Sequence, residues 1–114
     1  MKKLRKGKTD IKDKRAKIIL HPGEILKQDF LDGLGISVYA LSKAIGVPRS
    51  RINDIVLGRR GITADTAVRL GKFFGTDAES WSNLQKHYDL IIAQNKLARI
   101  LPKIQTPDDL HTGA

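Results

Sequence analysis

Residues 37–58, SVYALSKAIGVPRSRINDIVLG, decide the fold that this sequence predicts. Ser37 is a residue type that caps helix N-termini, and Leu41 and Ile45 follow it four residues apart. This spacing predicts a short helix with one apolar face. Gly46 comes directly after the last apolar residue, where glycine can take the left-handed conformation that ends a helix. We therefore expect a helix that begins after Ser37 and ends at Gly46.

The second half of this stretch predicts another helix, with a polar face opposite its apolar one. Ile52, Ile55 and Val56 have the i, i+3, i+4 spacing of a buried helix face. The opposite face holds a group of polar residues, Arg49, Ser50, Arg51, Asn53 and Asp54. Arginine, serine and asparagine at a helix N-terminus are types that bind DNA phosphates and base edges. Two short helices joined by a tight turn therefore indicate a DNA-binding helix-turn-helix.

Within this motif, the closest approach of the two helices predicts a small side chain at Ser42. We expect its hydroxyl to bond back to the carbonyl of Val38. Arg59 and Arg60 follow the second helix in a loop bounded by glycines. They suit contacts to the DNA backbone, and the alternative is a pair of solvated loop arginines.

The composition predicts one small all-α domain. A chain of 114 residues holds one ordinary domain, and it contains no cysteine, which excludes disulfides and thiolate metal sites. No run approaches the roughly 20 apolar residues of a membrane span, and the basic start lacks the apolar core of a signal peptide. We therefore expect a cytoplasmic protein without membrane contact.

The positive charge is concentrated at one end of the chain. The formal net charge is +9, and residues 1–20 hold nine Lys or Arg against two Asp, which gives +7. Residues 21–114 hold twelve against ten, which gives only +2. We expect residues 1–20 to form a basic, flexible extension, which either contacts DNA phosphates or is a solvated tail. Residues 21–94 are then the helix-turn-helix domain, and residues 95–114 a C-terminal helix extension with a mobile tail.

Three further helices are predicted around the helix-turn-helix, which makes five in all. The first begins at HPGE, residues 21–24, because proline suits the first helical position. Thr63 caps the fourth, and Thr76 or Asp77 the fifth. The fifth helix carries a large apolar stripe made of Trp81, Leu84, Tyr88 and Ile91 or Ile92. This stripe either covers the core or pairs with its copy in another subunit, and the helix length favours a homodimer.

No residue pattern in the chain indicates catalysis or a cofactor. His21, His87 and His111 are far apart and have no carboxylate or thiolate at metal-ligand spacing. No glycine-rich phosphate loop or nucleophile elbow occurs. The sequence therefore predicts neither an enzyme, nor a metal site, nor a bound cofactor.

Three stretches together resemble the HigA antitoxins, also called virulence-associated protein I relatives, within the Xre or λ-repressor-like group. They are HPGEIL at 21–26, YALSKAIGVPRSRINDIVLGRRGITADTAVRL at 39–70, and FFGTDAESWSNLQKHYDL at 73–90. The resemblance implies a five-helix λ-repressor-like domain, usually a homodimer, that binds double-stranded operator DNA and represses its own operon. It also implies that a HigB-type mRNA-cleaving toxin of the RelE/ParE-like fold is the partner that it neutralises.

The resemblance also implies roles for individual residues. Base and phosphate contacts at the start of the recognition helix fall on Arg49, Ser50, Arg51 and Asn53. Backbone contacts fall on Arg59 and Arg60, and the phosphate-facing start of the preceding helix on Ser37, Val38 and Tyr39. The chain departs from the family at Ser42, where alanine is commoner, and in the longer lysine-rich segment before His21. Two other hypotheses stay open: a solitary Xre-type repressor, and an interaction module whose helix-turn-helix has lost DNA binding.

Overall fold

The computed structural model describes residues 19–112, and within them all regular structure is helical. The first helix continues as a π-helical segment, and a 3-10 turn lies between the last two helices. The bounds are α1 Pro22–Ile25, the π-helical segment Leu26–Asp32, α2 Val38–Ile45, α3 Arg49–Val56, α4 Ala64–Phe74, α5 Ala78–Lys96, the 3-10 turn Leu101–Lys103 and α6 Pro107–Thr112. The prediction of an all-α fold is confirmed, and the five predicted helices are present together with a short sixth one.

The helix ends form as the local sequence predicts. Ser37, Thr63 and Asp77 each accept a hydrogen bond from the backbone N–H three residues later, at 3.0, 3.3 and 2.7 Å. These bonds satisfy donors that have no partner inside the helix. Gly46 and Gly75 end α2 and α4 with φ of +74° in the left-handed region. The turn between α2 and α3 is therefore fixed by its own residues.

Helices α1 to α5 enclose one apolar core. Its buried members are Leu26, Leu31, Leu41, Ile45, Val47, Ile52, Ile55, Ile62, Ala67, Leu70 and Trp81. Each large apolar side chain removed from water contributes about 1.5–3 kcal/mol to stability. Ile36 packs against this cluster at the entry to α2. The apolar faces of α2 and α3 both point into the core, so the polar residues of α3 are left facing solvent.

Trp81 belongs to the core of the single chain. Its side chain is 2% exposed, and its Nε1 donates to Thr76 Oγ1 at 2.8 Å. Its ring centroid lies 4.8 Å from that of Phe30 and 5.9 Å from that of Phe74. Its place in the predicted dimer surface is therefore wrong, because the ring is already covered by helices of its own chain. Two roles were predicted for the apolar stripe, covering the core or pairing with a second copy, and Trp81 covers the core.

Two local features differ from the sequence prediction. The hydroxyl of Ser42 donates to the carbonyl of Tyr39 at 2.7 Å, rather than to that of Val38. A hydroxyl in a helix can reach the carbonyl three or four residues back, and here the nearer one is used. The first helix widens to a π-helical segment at Leu26–Asp32, which the spacing of its apolar residues did not reveal.

The C-terminal part also departs from the expected course. Helix α5 ends at Lys96, so the predicted C-terminal helix extension does not continue it, and a 3-10 turn follows at Leu101–Lys103. Helix α6 then begins where a tail without structure was expected. Asp109 Oδ2 accepts from the Thr106 backbone N–H at 2.8 Å, and Thr106 Oγ1 accepts from the Asp109 backbone N–H at 3.4 Å. This reciprocal cap, with proline in the first turn, is a sequence signal for a helix start that our reading missed.

Most of the predicted basic extension, residues 1–20, lies outside the described residues, and so do the last two positions of the chain. The proposed division into segments 1–20, 21–94 and 95–114 therefore stays a prediction. Within residues 19–112, no helix has the length and apolar character needed to cross a membrane.

Candidate nucleic-acid interface

The start of α3 presents a polar face to solvent. Arg49, Ser50 and Asn53 are exposed, whereas Ile52 and Ile55 on the other side of the helix are completely buried. Positions three and four apart share a helix face, so the three exposed residues form one surface. Arg51 is half-buried and lies at the edge of this surface. The predicted contact residues of the second helix are thus accessible to a DNA groove.

An aromatic ring of α2 connects this surface to the first helix of the motif. The Cζ atom of Arg49 lies 5.6 Å from the ring centroid of Tyr39, and Lys43 Nζ lies 5.7 Å from it. An exposed cation–π contact of this kind is worth about 0.5–1 kcal/mol. It restrains the guanidinium at the start of α3. The contact between Lys43 and Tyr39 was not predicted from the sequence, although the two residues lie one helical turn apart.

The start of α2 contributes its backbone more than its side chains. The Ser37 hydroxyl oxygen is engaged as the helix cap, and Val38 is half-buried against the core. For Val38, the backbone N–H is therefore the group suited to the predicted phosphate contact, while the Ser37 hydroxyl still has its own proton to donate. Tyr39 is 52% exposed and remains accessible beside it. Free N–H groups in the first turn of a helix are suitable donors to a phosphate oxygen.

A loop that contains two exposed arginines follows α3. Gly58 has φ of +77°, and the backbone N–H groups of Arg59 and Arg60 donate to the Asp54 carbonyl at 2.8 and 3.2 Å. The loop therefore folds back over the end of α3. Arg59 also lies 3.4 Å from the Asp54 carboxylate, with side chains 67% and 33% exposed. A surface pair of this kind is worth only about 0–1 kcal/mol, so a phosphate can compete for the guanidinium.

Side chains from α4 and α5 hold the two ends of the interface. Arg69 Nη1 donates to the carbonyl of Ile45 at 2.7 Å, and its Nε bonds to Asp65 at 2.7 Å. This places a cation on the last turn of α2, just before the turn of the motif, which favours both the helix end and the turn. Gln85 accepts from the backbone N–H of Ile62, beyond the arginine loop, at 2.8 Å. Neither contact has a local sequence signal, because the partners are 24 and 23 positions apart.

His21 caps α1 next to the arginine loop. Its Nδ1 accepts from the Gly23 backbone N–H at 2.9 Å, and its ring lies edge-on to Tyr88 with centroids 4.9 Å apart. Burial lowers the pKa of His21, while the carboxylates of Asp89 and Glu24 act in the opposite direction. Because the cap requires an unprotonated Nδ1, the neutral imidazole is the form that stabilises this helix start. Among residues 19–112, no group of three or more potential metal ligands lies together.

The chain matches known proteins along most of the described region. A family model described as helix-turn-helix matches residues 27–81. Virulence-associated protein I of Dichelobacter nodosus is 56% identical over 75 residues, which are 66% of this chain and 69% of the relative. Antitoxin HigA-1 of Vibrio cholerae is 36% identical over 74 residues, which are 65% of this chain and 70% of the relative.

One solved structure is similar to this chain in both sequence and fold. It is the Pseudomonas aeruginosa antitoxin HigA with the higBA promoter, which is 42% identical and superposes with a TM-score of 0.75. The alignment covers 79% of this chain and 98% of that one. The proteins of this group are DNA-binding regulators and not enzymes. The chain belongs to the λ-repressor-like helix-turn-helix family that includes virulence-associated protein I and the HigA antitoxins.

Proposed function

We propose that this chain is a HigA-type antitoxin. In this proposal it binds double-stranded operator DNA as a homodimer, represses its own operon and neutralises a HigB-type mRNA-cleaving toxin. The observation that carries the proposal is the exposed start of α3, where Arg49, Ser50 and Asn53 form one surface. The Pseudomonas aeruginosa antitoxin HigA, which is 42% identical, was solved with the higBA promoter.

The start of α3 enters the major groove in this proposal. Arg49 and Arg51 contact guanine edges or flanking phosphates, and Asn53 contacts an adenine edge or a phosphate. The Ser50 hydroxyl can donate or accept a hydrogen bond, so it can contact either a base edge or a phosphate. Each bidentate base contact discriminates against a wrong base by about 1–3 kcal/mol. The loop arginines and the first turn of α2 contact the backbone and set the orientation of α3.

The homodimer forms through the C-terminal part of the chain. Exposed apolar side chains follow the stripe that covers the core, namely Leu90 at 54%, Leu97 at 40%, Ile100 at 50%, Leu101 at 46% and Ile104 at 57%. A single-chain protein gains nothing from a run of exposed apolar groups, whereas a second copy would bury them. Two copies related by twofold symmetry place their recognition helices about 34 Å apart on an inverted repeat.

The dimer residues proposed from the sequence are only partly available for this contact. Leu84, Tyr88 and Ile91 are half-buried, Leu84 packs against the core, and Tyr88 contacts His21. We therefore extend the proposed dimer surface from these residues towards Ile104. Sedimentation of the full chain at several concentrations tests this step, and Ile100→Asp should shift the population to monomer.

The basic segment of residues 1–20 adds non-specific affinity in this proposal. Its +7 charge exceeds the +2 of residues 21–114, and each lysine or arginine that neutralises a phosphate releases a counterion. The alternative is a solvated tail with no role in DNA binding. Removal of residues 2–18 distinguishes the two, because only a DNA-contacting segment contributes to the salt dependence.

Co-expression with the adjacent reading frame tests the antitoxin assignment. With a tag on only one of the two proteins, we expect a stoichiometric complex, and we expect the neighbour alone to arrest growth. Footprinting on the chain's own promoter should then show protection of an inverted repeat. Promoter protection without a co-purifying neighbour would replace this proposal with the alternative, a solitary Xre-type repressor. No protection even at low salt would instead indicate an interaction module.

A further inference from the structure

Gln85 of α5 ties the arginine loop to the body of the domain. Its Oε1 accepts a hydrogen bond from the backbone N–H of Ile62 at 2.8 Å. Its Nε2 donates to Asp89 Oδ1, one turn later in α5, at 2.9 Å. A carboxylate accepts and does not donate, so the second bond decides which end of the amide faces the loop. The amide oxygen is therefore held towards Ile62.

Gly61 lets the loop approach Gln85 this closely. A Cβ atom on Gly61 would lie 2.9, 3.0 and 3.1 Å from Cδ, Nε2 and Oε1 of Gln85, where ordinary contact begins at 3.4 Å. The φ of Gly61 is not in the positive region, unlike that of Gly58. A side chain at this position would therefore displace the Gln85 amide from Ile62, whereas the backbone conformation of Gly61 itself does not require glycine.

The loop is held at both ends. At its start, the backbone N–H groups of Arg59 and Arg60 bond to the carbonyl of Asp54 in α3. At its end, Ile62 bonds to Gln85, and the Ile62 side chain is 5% exposed in the core. A restrained loop loses less conformational entropy when its side chains meet a ligand. The two arginines form the first anchor through their backbone, and Gln85 holds the chain two residues after Arg60.

We propose that Gln85 is a positioning residue for DNA binding. It holds the loop against α5 so that Arg59 and Arg60 face the phosphate backbone before the DNA arrives. The inference rests on the proposed function, because that proposal assigns the phosphate contacts to these two arginines. Gln85 is uncharged, so its removal changes the placement of the loop and leaves the charge of the protein unchanged.

The test measures DNA binding by the full-length chain. The probes are a duplex of the chain's own promoter and an unrelated duplex of equal length, each titrated at several salt concentrations by fluorescence anisotropy. We expect Gln85→Ala and Gly61→Ala each to bind both duplexes about threefold to tenfold more weakly, the range that corresponds to one net hydrogen bond. Asn83→Ala, an exposed change on the same helix, is the matched control and should bind as the parent does.

A mutant cycle shows whether Gln85 acts through the loop arginines. In a chain that already has Arg59→Ala and Arg60→Ala, Gln85→Ala should cause no further loss, because the side chains that it positions are gone. An equal loss in both backgrounds would overturn the inference. Gly61→Ala combined with Gln85→Ala should match either single change, since both break the same bond to Ile62. Independent, additive losses would likewise contradict it.

The outcomes separate this inference from the proposal on which it rests. In one outcome, Arg59→Ala and Arg60→Ala weaken binding and reduce the salt slope, while Gln85→Ala and Gly61→Ala bind as the parent does. This outcome would overturn the inference alone. Parental binding by the double arginine variant would overturn both the inference and the assignment of phosphate contacts to these two arginines. Thermal unfolding of each variant gives its folded fraction. If Gln85→Ala does not fold, Gly61→Ala decides the question, because it displaces the same amide.

Discussion

Gly23→Ala adds one methyl group where α1 meets the recognition helix α3. The new Cβ atom would lie 1.7 Å from the carbonyl oxygen of Ile55, 2.6 Å from its carbonyl carbon and 2.9 Å from Cα of Val56. All three atoms belong to the backbone, so no side-chain rotation relieves the clash. Because ordinary contact begins at 3.4 Å, the two segments must separate by about 3.4 − 1.7 = 1.7 Å.

A separation of this size opens the core between the helices. Leu26 on one side and Ile52 and Ile55 on the other are at 0% exposure in the parent chain. Extra atoms in a packed core cost about 1–3 kcal/mol when side chains can adjust, and here the backbone itself must move. We therefore expect a loss of about 3 kcal/mol or more. For a domain of this size, a loss of about 3 kcal/mol lowers the Tm by roughly 12–24 °C.

The assay is thermal unfolding followed by circular dichroism at one fixed chain concentration, because a dimer's Tm depends on concentration. Gly33→Ala is the matched control. Its Cβ would have only the Gln28 carbonyl oxygen at 4.0 Å, and its φ of −62° is ordinary helix. Alanine there should be neutral or stabilise by up to about 1 kcal/mol. A Gly23→Ala chain that melts within about 4 °C of the parent would refute the close α1–α3 contact.

Three further predictions concern charge and DNA. Lowering the pH from about 7.5 to 5.5 should lower the urea midpoint, because burial lowers the pKa of His21 and the unfolded chain then binds more protons. His21→Asn keeps a capping oxygen and should flatten that part of the profile. In gel shifts, Arg49→Ala should cost about 1–3 kcal/mol on the operator and relax specificity, whereas Arg60→Ala should weaken binding to all duplexes alike; reversed behaviour would contradict the assignment. Removing residues 2–18 should reduce the salt slope by about 0.9 for each phosphate that the segment neutralises in the parent complex, and an unchanged slope would show a solvated tail.

The helix ends were predictable because their physics is local. A cap such as Ser37 or Thr63 bonds to a backbone group three residues away, and Gly46 supplies its own left-handed φ. The residue type at one position is then enough to predict the structure there. His21 shows the limit of this approach. Histidine was considered only as a possible metal ligand, and its hydrogen bond to the start of α1 was not predicted.

The contacts that hold the interface were not predictable from the sequence. Arg69 reaches the carbonyl of Ile45, and Gln85 reaches the backbone N–H of Ile62, in each case across more than 20 positions. Such bonds depend on where packing places two helices, and neither residue type indicates its partner. The sequence showed the contact surface of α3, whereas the side chains behind it became visible only in the fold.

The apolar stripe of α5 shows a different limit. Periodicity indicates that residues share a face, but it does not indicate what covers that face. Trp81 is covered by its own chain, while Leu97 and Ile100 at the far end of the same region are exposed. The boundary between the two lies where α5 extends past the other helices, and only the tertiary structure shows that point.

The charge distribution divides the proposed DNA binding into two separable parts. Residues 21–114 are almost neutral at +2, so attraction by this domain depends on where its cations lie. Arg49, Arg59 and Arg60 are exposed on the interface, and Asp54 is the acidic neighbour of Arg59. A short-range pattern of this kind favours register and sequence discrimination. The +7 of residues 1–20 would instead act on any phosphate backbone, so its removal should lower affinity for all DNA and leave the ratio of specific to non-specific binding nearly unchanged.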